Sequence, residues 1–288
     1  MASSDRQEGK LAAQVDALMP QEMAKLAERT GVKKAEQDWH RLLALSALAG
    51  AFVAFGAAFA AAVTAGAGDA PVGLVQLAGG LAFTLAYVLA IVGGAELFTT
   101  NNLMVMAWAH GRLPLQRLFR AWGIVFVGNL IGAVGMAALL ILANRHEEIG
   151  GGLGEKLLSA AYRIHDHSLP EALLLGILGN SLLCLGVWLT YSARSTVDRI
   201  LALTPPVAAF YVLGLEHAIA VMFYLPCAAL ISLFADPQFW TSVEYQPLMI
   251  TPLEFLQVLV PVTIGNVLGG GALVALVYWF VYLHPERD

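Results

Sequence analysis

The chain has 288 residues, of which 58% are hydrophobic and only 13% charged, with a mean hydropathy of +0.70. Soluble domains carry roughly a quarter of their residues as charges, so this composition excludes an ordinary soluble protein and describes an all-α, polytopic protein of the lipid bilayer. The net charge of −5 is modest and names no partner, and none among nucleic acids is expected.

Residues 1–41 are polar and carry Arg6, Lys10, Lys25, Arg29, Lys33, Lys34 and Arg41. No cleavable signal peptide is expected, and membrane entry relies on the first spanning helix. Within this segment Leu18 to Thr30 reads as a short helix, with Pro20 at its first position and Gly31 just past its end. Met19, Met23 and Leu26 recur at helical spacing. They form a greasy stripe for the membrane surface or a neighbouring subunit, unless the segment is a solvated leader.

A helix needs roughly 20 apolar residues to cross the hydrocarbon. The spacing predicts crossings at Leu42 to Ala65, Leu77 to Ala109, Leu118 to Ala143, Leu169 to Tyr191, Ile200 to Phe234, and Phe255 to Leu283. The second is overlong and interrupted by Gly93, Gly94, Glu96 and Thr99 to Asn102, and the fifth by Gly214 to His217. Each is expected to be two half-helices joined by a loop. The organisation is thus an N-terminal segment 1–41, a six-helix channel domain 42–283, and a short tail 284–288.

Ionisable side chains at membrane depth are costly, so they face a protein interior or a watery path. Glu216 and His217 are the first such candidates, against the alternative of a satisfied core histidine beside a structural carboxylate. A second copy of the interruption stands at Gly94-Ala95-Glu96-Leu97, and Gly128-Asn129 in the third crossing recurs as Gly265-Asn266 in the sixth. Three crossings followed by three similar ones give a 3+3 repeat. An odd offset turns the second half upside down and places the site at the broken helices. Close helix packing through Gly explains the Gly-Asn pairs equally well.

Thirteen of the sixteen Lys and Arg residues fall on one side of these crossings; only Arg145, Lys156 and Arg163 fall in the alternate loops. Positive charge marks the cytoplasmic side, so both termini are expected there, with Gly66 to Gln76 and Asp236 to Pro252 outside. Cys184 and Cys227 lie inside apolar segments, where thiols act as small hydrophobes.

Several stretches in order, Leu18-Met19-Pro20, Gly31-Val32-Lys33-Lys34-Ala35, Gly94-Ala95-Glu96-Leu97-Phe98-Thr99, Gly176 to Asn180, Gly214-Leu215-Glu216-His217 and Pro261 to Asn266, resemble the formate/nitrite transporter family over residues 18 to 283. The resemblance implies a homopentamer of aquaporin-like protomers in the inner membrane. Each protomer has its own pore for small anions such as formate, nitrite, lactate or hydrosulfide. By the same resemblance, His217 is the central pore histidine and Thr99 the hydroxyl that meets it. Asn180 and Glu216 support the histidine or the substrate. Leu97 and Phe98 form the cytoplasmic constriction, and Phe83 and Phe210 the periplasmic one.

The residues admit plainer roles. Thr99 would then satisfy loop backbone groups, Glu96 and Glu216 would cap half-helices, and Phe83 and Phe210 would be core aromatics. Three positions depart from the family pattern: Val221 where many members have Asn, Tyr87 where an aliphatic constriction residue is common, and Ile164 where many carry a vestibule lysine. Arg163, His165 and His167 are close enough to replace that lysine.

An anion entering a greasy constriction loses hydration at large cost, whereas its neutral acid crosses cheaply. Histidine suits this step because its charge changes near neutral pH. The expected function is a channel or proton-coupled carrier for a small weak-acid anion, formate first and nitrite second. A passive pore for neutral solutes fits the fold but leaves Glu216 and His217 unexplained. An enzyme is not expected, since no nucleophile signature or metal-spaced histidine set accompanies the pair. No cofactor or metal is expected either.

Overall fold

The computed structural model describes residues 17–284; the expectations for Arg6, Lys10, Arg287 and the tail beyond 284 lie outside the described residues. All regular structure among the described residues is helical. Helix α1 (Pro20–Ala35) precedes α2 (Trp39–Thr64), which starts where the Asp38 carboxylate accepts the His40 N–H at 3.4 Å. Helix α3 (Val72–Tyr87) runs on through a π-turn, Val88–Val92, and then stops. The chain resumes as a 3₁₀ turn, Thr100–Met104, and a short α4 (Val105–Ala109).

Helix α5 (Leu115–Leu142) is continuous, and the amphipathic α6 (Gly152–His165) follows it. The second half holds α7 (Leu169–Thr190), α8 (Thr196–Val212), α9 (Ala218–Phe234), the short α10 (Pro237–Ser242) and α11 (Pro252–Asn266). A π-helical stretch, Val267–Leu276, joins α11 to α12 (Val277–Tyr282).

Five of these helices are long and apolar enough to cross a membrane: Trp39–Thr64, Val72–Val92, Leu115–Leu142, Leu169–Thr190 and Pro252–Tyr282. The stretch expected as a fifth, interrupted crossing, Ile200 to Phe234, is two helices, α8 and α9, parted at Leu213 to His217. At 1.5 Å per residue α9 is about 26 Å long, short of the roughly 30 Å hydrocarbon core.

Two expectations are corrected. Gly31 does not end α1 but lies buried inside it, where a Cβ would sit 3.3 Å from the Met104 backbone and the Ala107 side chain. The buried face of α1 is Met23, Ala24, Ala27, Gly31 and Ala35, while Met19 and Leu26 are exposed. The anticipated stripe is therefore split, because small residues let α1 dock on its own chain. The polar run Thr99 to Asn102 is likewise no open loop. It is buried, and the 3₁₀ turn takes up Thr100 to Asn102.

Two close helix contacts build the frame. A Cβ on Gly132 of α5 would fall 1.8 Å from the Ala47 carbonyl oxygen of α2, and one on Gly269, just past α11, 2.1 Å from the Ile177 carbonyl oxygen of α7. No side chain larger than hydrogen fits at either crossing. Beside them, buried asparagines tie the interrupted segments in place. Asn129 Oδ1 accepts the Phe98 N–H at 2.9 Å, and its Nδ2 donates to the Ser46 and Glu96 carbonyls at 2.8 and 2.9 Å. Asn266 Oδ1 accepts the Ala218 N–H at 2.9 Å, and its Nδ2 donates to the Gly176 and Glu216 carbonyls at 2.8 and 3.2 Å. Buried backbone groups that helices would have satisfied are met here by side chains.

Candidate functional site

The chain leaves α8 through a turn at Gly214, whose φ of 62° is left-handed and favours glycine. Leu215 and Glu216 then bring His217 to the start of α9, where it caps the helix: its Nδ1 accepts the Ala220 N–H at 3.3 Å. From the other interruption, beginning at Gly94 with φ 80°, the Thr99 hydroxyl reaches to 2.8 Å from His217 Nε2. The Tyr87 hydroxyl from α3 stands 3.0 Å from the same nitrogen. Tyr87, Thr99 and His217 are wholly buried, and the Phe210 ring packs edge-on to the imidazole, 6.1 Å between centroids.

A second layer fixes Thr99. Asn180 Nδ2 donates to the Thr99 carbonyl at 3.1 Å and to that of Asn266 at 2.7 Å, and the Cys184 thiol donates to the Thr99 carbonyl at 3.4 Å. Asn180 thus acts on the backbone of Thr99 and makes no hydrogen bond to His217. Both Thr99 bonds go to its carbonyl, which leaves its hydroxyl aimed at the imidazole.

Two cavities lie on either side of this cluster. One, of about 490 Å³, is lined by Phe83, Lys156, Arg163, Phe210, Glu216 and Tyr224 among others. The second, of about 450 Å³, includes Lys34, Ala90, Glu96, Thr190, Arg194 and Arg199 in its lining. Along α3, Phe83 lines the Glu216 cavity and Ala90, in the π-turn, the Glu96 cavity, with the buried Tyr87 between them. Phe83 and Phe210 stack at 5.9 Å, just on the Glu216 side of the histidine.

Each cavity holds one buried carboxylate paired with a cation. Arg163 Nη1 donates to Glu216 Oε1 at 2.7 Å and to the Gly214 carbonyl at 3.2 Å, and His167 Nε2 lies 3.2 Å from the same carboxylate oxygen. Lys34 Nζ donates to Asn101 Oδ1 at 2.7 Å and lies 2.9 Å from Glu96 Oε2. These glutamates are ion-pair partners rather than helix caps, and the cap of α9 is His217 itself. The hydrogen bond that the His167 ring donates to Glu216, reinforced by the Glu216 and Glu171 charges, raises the His167 pKa above the ordinary histidine value, against burial and Arg163.

The remaining expected residues separate. Leu97 is buried and lines neither cavity, and Phe98 packs edge-on against Trp122 and Phe126 at 5.8 and 5.1 Å. His165 pairs with Asp166 at 3.5 Å and lines neither cavity, while Ile164 lines the Glu216 cavity from within. Lys156 was not expected here. It lies seven residues before Arg163 on α6, and that two-turn spacing was the available signal. Lys34, Arg194 and Arg199 line the Glu96 cavity, although in the sequence they read only as topology charges.

A bundle of apolar helices, two of its segments interrupted around a buried histidine and a cation-lined cavity at either side, defines a multi-pass membrane channel. The chain belongs to the formate/nitrite transporter family, whose pattern matches residues 21–280. It is 41% identical over 278 residues to the formate channel FocA of Escherichia coli strain K12, covering 95% of this chain and 97% of that one. Formate channel FocA of Haemophilus influenzae is 32% identical over 259 residues, covering 88% and 91%. Among solved structures, a pentameric formate channel with formate bound superposes with a TM-score of 0.79 at 37% identity, covering 85% of this chain and 98% of that one.

Proposed function

We propose that this chain forms a formate channel of the inner membrane, assembled as a homopentamer with one pore in each protomer. In this reading residues 42–283 make six crossings. The second is α3 with the 3₁₀ turn and α4 as its other half, and the fifth is α8 with α9. The matching hydrogen bonds of Asn129 and Asn266 support two three-crossing halves of opposite orientation, as in an aquaporin-like protomer. The charge bias puts both termini in the cytoplasm, so the Glu96 cavity opens inward and the Glu216 cavity outward.

The observation that carries this reading is the His217 imidazole, held 2.8 Å from the Thr99 hydroxyl between two cation-lined cavities. An anion drawn in by Lys156 and Arg163 meets the Phe83 and Phe210 rings and must shed water there. His217 offers the compensating hydrogen bond. Proton coupling runs through the same ring: a proton taken up at Nδ1, at the expense of the Ala220 bond, lets the Nε2 proton pass to the anion. The neutral acid then crosses, and the ring is left neutral with its proton on Nδ1.

The experiment is formate-driven flux and internal pH change in proteoliposomes, wild type against His217→Asn, across an external pH series. His217→Asn keeps a polar cap but cannot titrate, so proton-linked uptake from acidic medium should fall at least tenfold while assembly persists, in keeping with the usual worth of a positioned proton donor. A variant with wild-type rates and pH profile would make His217 a core residue only.

A further inference from the structure

We propose that Tyr87 is an anion-binding and specificity-determining residue, its phenol completing with Thr99 and His217 a neutral site for one oxygen of the permeating anion. The inference rests on the reading of His217 as the centre of an anion path. Its ground is a count of hydrogens. Because Nδ1 accepts the Ala220 N–H at 3.3 Å, the neutral ring carries its proton on Nε2.

That nitrogen is therefore a donor, and it faces two hydroxyls, Thr99 at 2.8 Å and Tyr87 at 3.0 Å. The triangle holds three polar hydrogens. If Nε2–H donates to one hydroxyl and that hydroxyl to the other, the last hydroxyl hydrogen has no acceptor within the triangle, because the protonated nitrogen cannot accept. Running the chain of donors the other way leaves the other hydroxyl in the same position. An additional oxygen with lone pairs satisfies it, and a carboxylate-type oxygen does so best, since hydrogen bonds to ionised acceptors are the stronger ones.

Location agrees with this chemistry. Phe83 lines the Glu216 cavity and Ala90 the Glu96 cavity, so Tyr87, between them on the same helical stretch and wholly buried, stands at the barrier. An anion passing from one cavity to the other must displace the contacts of this phenol. With an aliphatic side chain there, only Thr99 and the imidazole would face the anion, and the imidazole would need its second proton, and the loss of its Ala220 bond, to match the interaction. Tyr87 relieves that requirement. Its ring, wholly buried at the barrier, also takes up more of the passage than an aliphatic side chain would.

The test compares Tyr87→Phe, which keeps the ring and removes the hydroxyl, with Tyr87→Leu, which removes both, in proteoliposomes loaded against formate and against lactate. Assembly is checked by size-exclusion in detergent. Tyr87→Phe is expected to raise the half-saturating formate concentration about tenfold, the usual worth of a hydrogen bond to a charged group, and to make uptake depend more steeply on external acid. Tyr87→Leu should show the same loss and, in addition, admit lactate; it also carries the affinity test if Tyr87→Phe does not assemble. Wild-type affinity and pH profile in the hydroxyl-less variant would reduce Tyr87 to a space-filler and overturn the proposal. Failure of the wild type to pass formate would instead strike the underlying reading of the pore.

Discussion

Lys34 and Arg163 stand in matching places: each ends the short helix before a long crossing and pairs with the glutamate of one interruption, Lys34 with Glu96 at 2.9 Å and Arg163 with Glu216 at 2.7 Å. The correspondence extends to the backbone, where Glu96 N–H donates to the Leu45 carbonyl and Glu216 N–H to that of Leu175, both at 3.3 Å. So α1 and α6 each anchor one interruption through a cation. A carboxylate at membrane depth without its cation is costly. Lys34→Met or Arg163→Met should therefore lower stability by roughly 1–3 kcal/mol, less than for a fully buried pair because both cations reach water. Thermal unfolding in detergent measures this, and Glu216→Gln added to Arg163→Met should recover part of the loss.

The glycine crossings give a sharper contrast. Gly132→Ala and Gly269→Ala force α2 from α5 and α7 from the last crossing, because each new methyl would overlap a carbonyl oxygen. Overpacking of this kind costs typically 1–3 kcal/mol or more. Gly135→Ala, with nothing within 4 Å of the new methyl, should leave unfolding temperature unchanged or raise it slightly. Equal behaviour of all three in a detergent melting series would count against the packing account.

His167 predicts a pH dependence of definite sign. Its pKa is raised in the folded chain, chiefly by the hydrogen bond to Glu216. The stabilisation is therefore fully present below the ordinary histidine value of about 6.5 and disappears as pH rises through the higher folded value. Melting should be higher at about pH 6 than at about pH 8, and His167→Gln should flatten that difference. The same comparison in wild-type protein with a reversed slope would remove His167 from the ion-pair cluster.

Lys156 lines the Glu216 cavity and makes no ion pair among the described residues, whereas Arg163 is held by Glu216. Its charge is therefore the less compensated of the two. Lys156→Gln should reduce uptake at low anion concentration severalfold, and added salt should erase the difference, because screening at about 0.15 M acts within about 8 Å. Uptake assays at low and high ionic strength decide it. A deficit insensitive to salt would point to altered packing of α6.

Much of this protein was legible along the chain because the bilayer imposes simple rules. Long apolar runs, their interruption at Gly94 and Gly214, and the isolated Glu216-His217 pair follow from the cost of exposing polar groups to hydrocarbon. The paired Gly-Asn signals marked Asn129 and Asn266, which hold the interrupted segments, and the resemblance named His217 and Thr99. What tertiary structure alone decided are relations between residues far apart in the chain, up to 130 positions for Tyr87 and His217. Nothing in local sequence says that Tyr87 and Thr99 meet one imidazole nitrogen, or that Asn180 holds a carbonyl rather than a ring. Nor does it say that Phe98 turns to Trp122 while Lys156 turns to a cavity. Gly31 shows the limit most simply: glycine ends a helix or lets one dock, and only the chain packed against it, here Met104 and Ala107, selects between the two.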